Sequence, residues 1–148
     1  MNKKCSELEM KRTFFSNSHG LPHNLNRSCA SDVAILIDYA LRNSLFRTII
    51  RAKEYSCEIS ERFEKTESAL DPTDKKQVVR WVNTHRFVQN KPDIYRGIKT
   101  GVTDTAGPCL ASLLEIHNRE FIVVVLGCRT LKARYRDTET LRLWLSKK

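Results

Sequence analysis

Residues 97–107 gather the groups that could do chemistry: Gly97-Ile98-Lys99-Thr100-Gly101-Val102-Thr103-Asp104-Thr105-Ala106-Gly107. The triplet Lys99-Thr100-Gly101 presents an ammonium, a hydroxyl and a backbone without Cβ. The ammonium attracts a carboxylate, and the hydroxyl can bind that carboxylate or pass a proton. The bare glycine lets an extended ligand lie against a strand edge. A three-residue pattern also recurs by chance, and glycines beside a strand serve tight turns equally well, so the surroundings must decide. A second candidate is the pair His19 and His23. Gly20 and Pro22 lie between them and oppose the helix that would aim two imidazoles at one metal, so loop hydrogen bonding is expected instead. The five cysteines (Cys5, Cys29, Cys57, Cys109, Cys128) have no CxxC spacing and make no zinc or thioredoxin-like pattern. No metal or cofactor is implied.

The elements that must hold residues 97–107 are readable on both sides. Downstream, Cys109 to His117 and Phe121 to Cys128 predict a β-hairpin around Asn118-Arg119. The unbroken apolar run Phe121 to Leu126 predicts a central strand buried on both faces. With a loop of Asn118-Arg119, Cys109 stands directly across from Cys128, a pairing that could carry a disulfide in an oxidising compartment. A one-residue change in the loop removes it. Residues 131–146 predict a final helix with Leu131, Tyr135, Thr138, Leu141 and Leu145 on one face and Trp144 beside it. Arg134 and Arg136 point elsewhere, and Lys147 and Lys148 suit the negative helix end.

Upstream, residues 1–15 read as the tail of a helix or a connector, and Ser16 to Asn26 as a loop. Ser28 or Ser31 can cap the helix that follows, with Asp32 in its first turn. Val33, Leu36, Ile37, Ala40, Leu41 and Leu45 share a face of that helix. A short helical turn over Phe46 to Arg51 and a short strand over Tyr55 to Ile59 come next. The charged stretch Glu61 to Lys76, with Asp71-Pro72, reads as a loop. Gln77 to Asn90 reads as a strand followed by a turn of helix, and Lys91-Pro92-Asp93 as the turn into residue 97.

The 148 residues suffice for one domain with a core, and 41% hydrophobic content is enough to fold it. The net charge of +9 is compatible with nucleic acid, an anionic surface or a carboxylate-bearing substrate. Because no basic run reaches five, a general solvated basic surface is the plainer reading. Aromatic side chains beside Arg80, His85 and Arg86 could stack on bases, although such residues more often form core. No stretch of about 18 apolar residues predicts a transmembrane helix. Met1 to Leu8 lacks the apolar core of a secretion signal, so the chain itself leaves localisation unassigned.

Three segments together resemble one family. The first is Asn17-Ser18-His19-Gly20-Leu21, followed by Asn26-Arg27-Ser28-Cys29-Ala30-Ser31-Asp32-Val33-Ala34-Ile35-Leu36. It is similar to an H-G-L loop and an S-x-A-x-D-x-A-x-L helix. The second, Gly97 to Gly107, is similar to G-I-K-T-G-x-T-x-x-A-G. The third runs from Val124 to Arg136, and its Gly127-Cys128-Arg129-Thr130 and following helix are similar to G-x-R-T-x-x-x-R. In order and spacing they resemble the C-terminal half of the catalytic domain of the serine D-alanyl-D-alanine carboxypeptidases, the low-mass penicillin-binding proteins of peptidase type S11. The combination is far more specific than K-T-G alone.

The resemblance implies an α/β (α+β) fold of the β-lactamase and penicillin-binding type: an antiparallel sheet with flanking helices, truncated at the N-terminus. Residues 1–148 would form a single partial domain. It also implies hydrolysis of peptidoglycan stem peptides ending in D-Ala-D-Ala through an acyl-enzyme that β-lactams trap. Lys99, Thr100 and Gly101 match the family's catalytic triplet. Val102 stands where members often have His; its backbone N–H would be half of an oxyanion hole. Arg134 matches an arginine that helps hold the carboxylate end. The family's nucleophile motif S-x-x-K and its S-x-N or Y-x-N motif are absent: no Ser here has Lys three positions on, and no Ser or Tyr has Asn two positions on. Both motifs precede the H-G-L loop in the family, so an N-terminal half supplied elsewhere is expected, and the chain alone is expected to be inactive. The remaining alternatives are a non-catalytic remnant that binds a peptide carboxylate or a partner, and a basic nucleic-acid binder using Arg80, Arg86, Arg134 and Arg136. With the family resemblance, nucleic acid is not the expected partner.

Overall fold

A computed structural model describes residues 1–60 and 76–148. The charged stretch Glu61 to Lys76, expected to be a loop, lies outside the described residues except for Lys76, which opens a strand. In chain order the elements are α1 (Asn2–Glu7), α2 (Ala30–Ala40), α3 (Ser44–Arg51), β1 (Glu54–Ser60), β2 (Lys76–Val82), α4 (Arg86–Asn90), β3 (Tyr95–Gly101), β4 (Cys109–Ile116), β5 (Arg119–Val125) and α5 (Leu131–Leu145). They make an antiparallel three-stranded sheet in the order β3-β4-β5 and a separate antiparallel pair, β1-β2.

The sheet has a core on each face because strand side chains alternate. Ala111 and Leu113 of β4 join Ile37, Leu41 and Ile50 from α2 and α3. Leu114 and Ile116 join Tyr95 and Val123, with Phe87 and Leu145 packed against them from α4 and α5. β4 is the central strand. The apolar run on β5, expected to be central, lies at an edge of the sheet among the described residues and is mostly half-buried. Its composition reports two covered faces, not two neighbouring strands: Ile122 and Val124 pack on one core, Phe121 and Val123 on the other.

The hairpin turn also differs from expectation. It is His117-Asn118, both at positive φ (50° and 60°), and Ile116 pairs with Arg119. Two left-handed residues make the tight turn whose twist suits a hairpin, and Asn tolerates that conformation well. The ladder ends at Leu110–Val125, so Cys109 and Cys128 are not cross-strand partners, and both thiols are free.

Neither Ser28 nor Ser31 caps α2. Cys29 takes the cap position in extended backbone without a side-chain cap bond, its Sγ lying 3.2 Å from Ser31 Oγ, while Ser28 pairs with Thr13 at 2.8 Å. Asp32 is used for more than the helix dipole. Its Oδ2 accepts from the Arg12 N–H and the Thr13 hydroxyl, each at 2.8 Å, tying residues 12–13 to α2. Burial works against its charge, but these donors outweigh it and keep the carboxyl below its ordinary range. Leu45, placed by periodicity on the α2 face, sits in α3 and is exposed, because the Asn43 cap restarts the helix in a new direction. On α5 the buried residues are Ala133, Arg134 and Thr138, while Leu131, Leu141 and Trp144 are exposed. The expected face is therefore right at Thr138 and at Leu145, which packs on the core, and wrong at Leu131 and Leu141, because Arg134 turns inward to bond carbonyls.

Candidate functional site

β3 carries the Lys-Thr-Gly triplet, and among the described residues it lies at an edge of the sheet with β4 as its one paired strand. Its N-terminal half is pressed against the end of α3. A Cβ on Gly97 would stand 2.0 Å from the Ile50 carbonyl oxygen, and Gly97 has φ +106°. Only glycine fits both demands. Ile98 follows at φ 127°, a costly conformation for a β-branched residue, beside a register shift between Tyr95 and Gly97. This irregularity ends where the triplet begins.

From there the register is regular: Lys99 faces Ala111, Thr100 faces Leu110 and Gly101 faces Cys109. Lys99 and Thr100 therefore leave opposite faces of the sheet. Lys99 is exposed, and its Nζ donates to the Thr100 carbonyl at the strand edge. Thr100 is buried, and its Oγ1 lies 2.9 Å from the Thr84 hydroxyl. A Cβ at Gly101 would meet nothing within 4 Å, so the backbone there is open to a ligand. Val102 is exposed just beyond the strand, and its backbone N–H has no hydrogen-bond partner among the described residues.

Arg134 reaches this strand end from α5, which starts at a Thr130 cap accepting from Ala133 N at 3.0 Å. Its Nη1 donates to Gly101 O at 3.2 Å and to Cys109 O at 3.3 Å. Its guanidinium lies 5.1 Å from the Tyr135 ring centre, and its Nε is buried without a partner. The site thus brings together Thr100, Gly101 and Arg134, with Lys99 reaching over the edge of the same strand. A strand end flanked by two cations, a hydroxyl and free backbone is suited to an anionic peptide terminus.

Sequence reasoning gave no role to Asn83 and Thr84, and named His85 only beside aromatic side chains that could stack on bases; in the fold the three residues back this strand. Asn83 Nδ2 donates to Ile50 O (3.2 Å) and Ala52 O (2.9 Å), and its Oδ1 accepts from His85 N (2.9 Å). His85 is fully buried against Phe87, Tyr95 and Tyr135, with Nε2 2.9 Å from Ser112 Oγ. Burial pushes its imidazole down to about 4, so it is neutral at pH 7. The available signal was three polar residues wedged between a strand and a helix.

His19 and His23 each accept a backbone N–H through Nδ1, from Leu21 (3.1 Å) and Leu25 (3.2 Å). Among the described residues no cluster of three metal-ligating side chains exists. Of the four arginines considered for nucleic acid, Arg134 is buried, Arg80 pairs with Glu54 and Arg136 with Asp137, and Arg86 lies over the Tyr135 ring.

The family model described as D-alanyl-D-alanine carboxypeptidase, peptidase S11, covers residues 1–130. The chain is 34% identical over 135 residues to the D-alanyl-D-alanine carboxypeptidase DacF of Bacillus subtilis, a match that takes in 90% of this chain and 31% of that protein. It superposes on the Streptomyces K15 DD-transpeptidase with a TM-score of 0.83 at 23% identity, covering 97% of this chain and 51% of that one. Penicillin binding protein 5 of Haemophilus influenzae gives a TM-score of 0.74 at 26% identity, with 97% and 37% covered. The chain therefore spans between about a third and a half of the length of these relatives. Matched over residues 1–130 and sharing the fold of the penicillin-binding proteins, the chain belongs to the D-alanyl-D-alanine carboxypeptidase family, peptidase S11.

Proposed function

We propose that this chain carries the carboxylate-recognition side of a serine D-Ala-D-Ala carboxypeptidase site. The ligand is a stem peptide ending in D-Ala-D-Ala, or a β-lactam offering the same carboxylate. The observation that carries the reading is Arg134, held at the end of β3 by Gly101 O and Cys109 O, one residue beyond Thr100. Lys99 and Arg134 supply positive charge, and the Thr100 hydroxyl donates to the carboxylate. The open backbone at Gly101 accommodates the peptide, and the free Val102 N–H is one donor for an oxyanion.

Acyl transfer needs an activated nucleophile, and no Ser in this sequence has Lys three positions on. In this reading the chain alone binds and does not hydrolyse; the nucleophile and its base come from an N-terminal half supplied elsewhere. Two facts support that division. The chain covers 51% of the Streptomyces enzyme's length, and the outer backbone edge of β5 has no partner strand among the described residues. The test is intact mass after exposure to a labelled penicillin. The account predicts an unlabelled species at 17.2 kDa. A covalent adduct on the chain of that mass would overturn it.

A further inference from the structure

We propose that Thr84 is a positioning residue that fixes the Thr100 hydroxyl for carboxylate binding, an inference that rests on the reading of the site given above. The two hydroxyl oxygens lie 2.9 Å apart, and either could donate by geometry alone. The ligand decides the direction. A carboxylate only accepts, and Thr100 has a single hydroxyl proton. When Thr100 gives that proton to the carboxylate, the bond between the threonines must run from Thr84 to Thr100. The result is a chain of two donated hydrogen bonds ending on the anion, each polarising the next.

Thr84 is built to hold that direction. Its own carbonyl accepts from the Tyr135 hydroxyl at 3.4 Å, which ties it to α5, the helix that also supplies Arg134. On one side Asn83 is anchored to Ile50 O and Ala52 O; on the other, His85 is anchored to Ser112. Thr84 is exposed, so its hydroxyl is not needed to fill the core. Thr100 sits on an edge strand, where an unpinned threonine side chain has more than one staggered rotamer available. The Thr84 hydroxyl selects one of them.

The experiment is an NMR titration of the isotopically labelled chain with an N-acylated tripeptide ending in D-Ala-D-Ala. Thr84→Val is expected to weaken binding about tenfold, the effect of one lost hydrogen bond. Thr84→Ser, which keeps the donor, restores wild-type affinity. In a Thr100→Val background the Thr84→Val change has no further effect. Equal losses for the Ser and Val variants, or additive losses in the double variant, overturn the proposal. A second readout needs no ligand: three-bond couplings to the Thr100 Cγ2 report one rotamer in the wild type and in Thr84→Ser, and an average in Thr84→Val. A single unchanged rotamer in Thr84→Val overturns the proposal. Failure of the wild-type chain to bind the peptide instead overturns the reading of the site, and the couplings then decide the positioning claim alone.

Discussion

The two β-structures among the described residues live in different surroundings. The β3-β4-β5 sheet has helices on both faces, and in β4 Leu110, Ser112, Leu113 and Leu114 are completely buried. The β1-β2 pair exposes Tyr55, Val78, Trp81 and Val82. It is held by its ladder, a Tyr55–Trp81 ring stack at 6.2 Å, and exposed ion pairs such as Lys76–Glu58. Exposed pairs of that kind contribute little, and a lone two-stranded ribbon is marginal in water. The Lys-Thr-Gly triplet belongs to the first structure. A carboxylate site needs groups held to within a fraction of an ångström, and only the sheet with two cores can hold them.

The largest expected break in that contrast is Leu114→Ala. It removes a side chain packed between β4 and the Tyr95–Val123 core and should cost about 4 kcal/mol. Urea unfolding measures it; a loss below about 1 kcal/mol would mean the sheet is not the stable part.

Next comes acid. His85 is buried neutral, with its pKa lowered from the ordinary 6.5 to about 4 by desolvation. Its contribution is fully present above pH 6.5. As pH falls from there toward 4, the unfolded chain binds a proton that the folded chain refuses. His85 should lower stability by about 3 kcal/mol across that window, and His85→Gln should remove its part of the slope, which lies above the carboxylate range. Unfolding midpoints measured between pH 7 and pH 4 test this, and an unchanged slope in the variant would contradict it.

The smallest effect is expected in the ribbon. Trp81→Ala should cost about 1 kcal/mol or less, because the ring is half exposed and packs chiefly on Tyr55. A loss equal to that of Leu114→Ala, by the same urea measurement, would erase the distinction between the two regions.

What the sequence made legible follows the same line. Local patterns were readable: the triplet and its flanking glycines, the strand-then-helix character of Gln77 to Asn90, and the existence of both hairpin strands. These depend on residues close in sequence. The turn at His117-Asn118 was one residue away from the expected loop, and that displacement alone separates Cys109 from Cys128. The inward turn of Arg134 was not readable, because its partners Gly101 and Cys109 are 33 and 25 residues away. Thr84 was passed over, and His85 was read only as a neighbour of base-stacking aromatics, for the same reason: their partners Thr100 and Ser112 come near only in the folded sheet. The edge position of β5 was hidden because apolarity on two faces records what covers a strand, not how many strands adjoin it.

The most direct test of the central claim is to compare two peptides by NMR titration of the intact chain. One ends in D-Ala-D-Ala with a free carboxylate; the other is its C-terminal amide. The account predicts saturable shifts at Thr100, Gly101, Val102 and Arg134 for the free acid, and weak or absent binding for the amide. Equal binding of both, or shifts confined to the β1-β2 ribbon, would show that the strand bearing Lys99 and Thr100 does not recognise a peptide carboxylate.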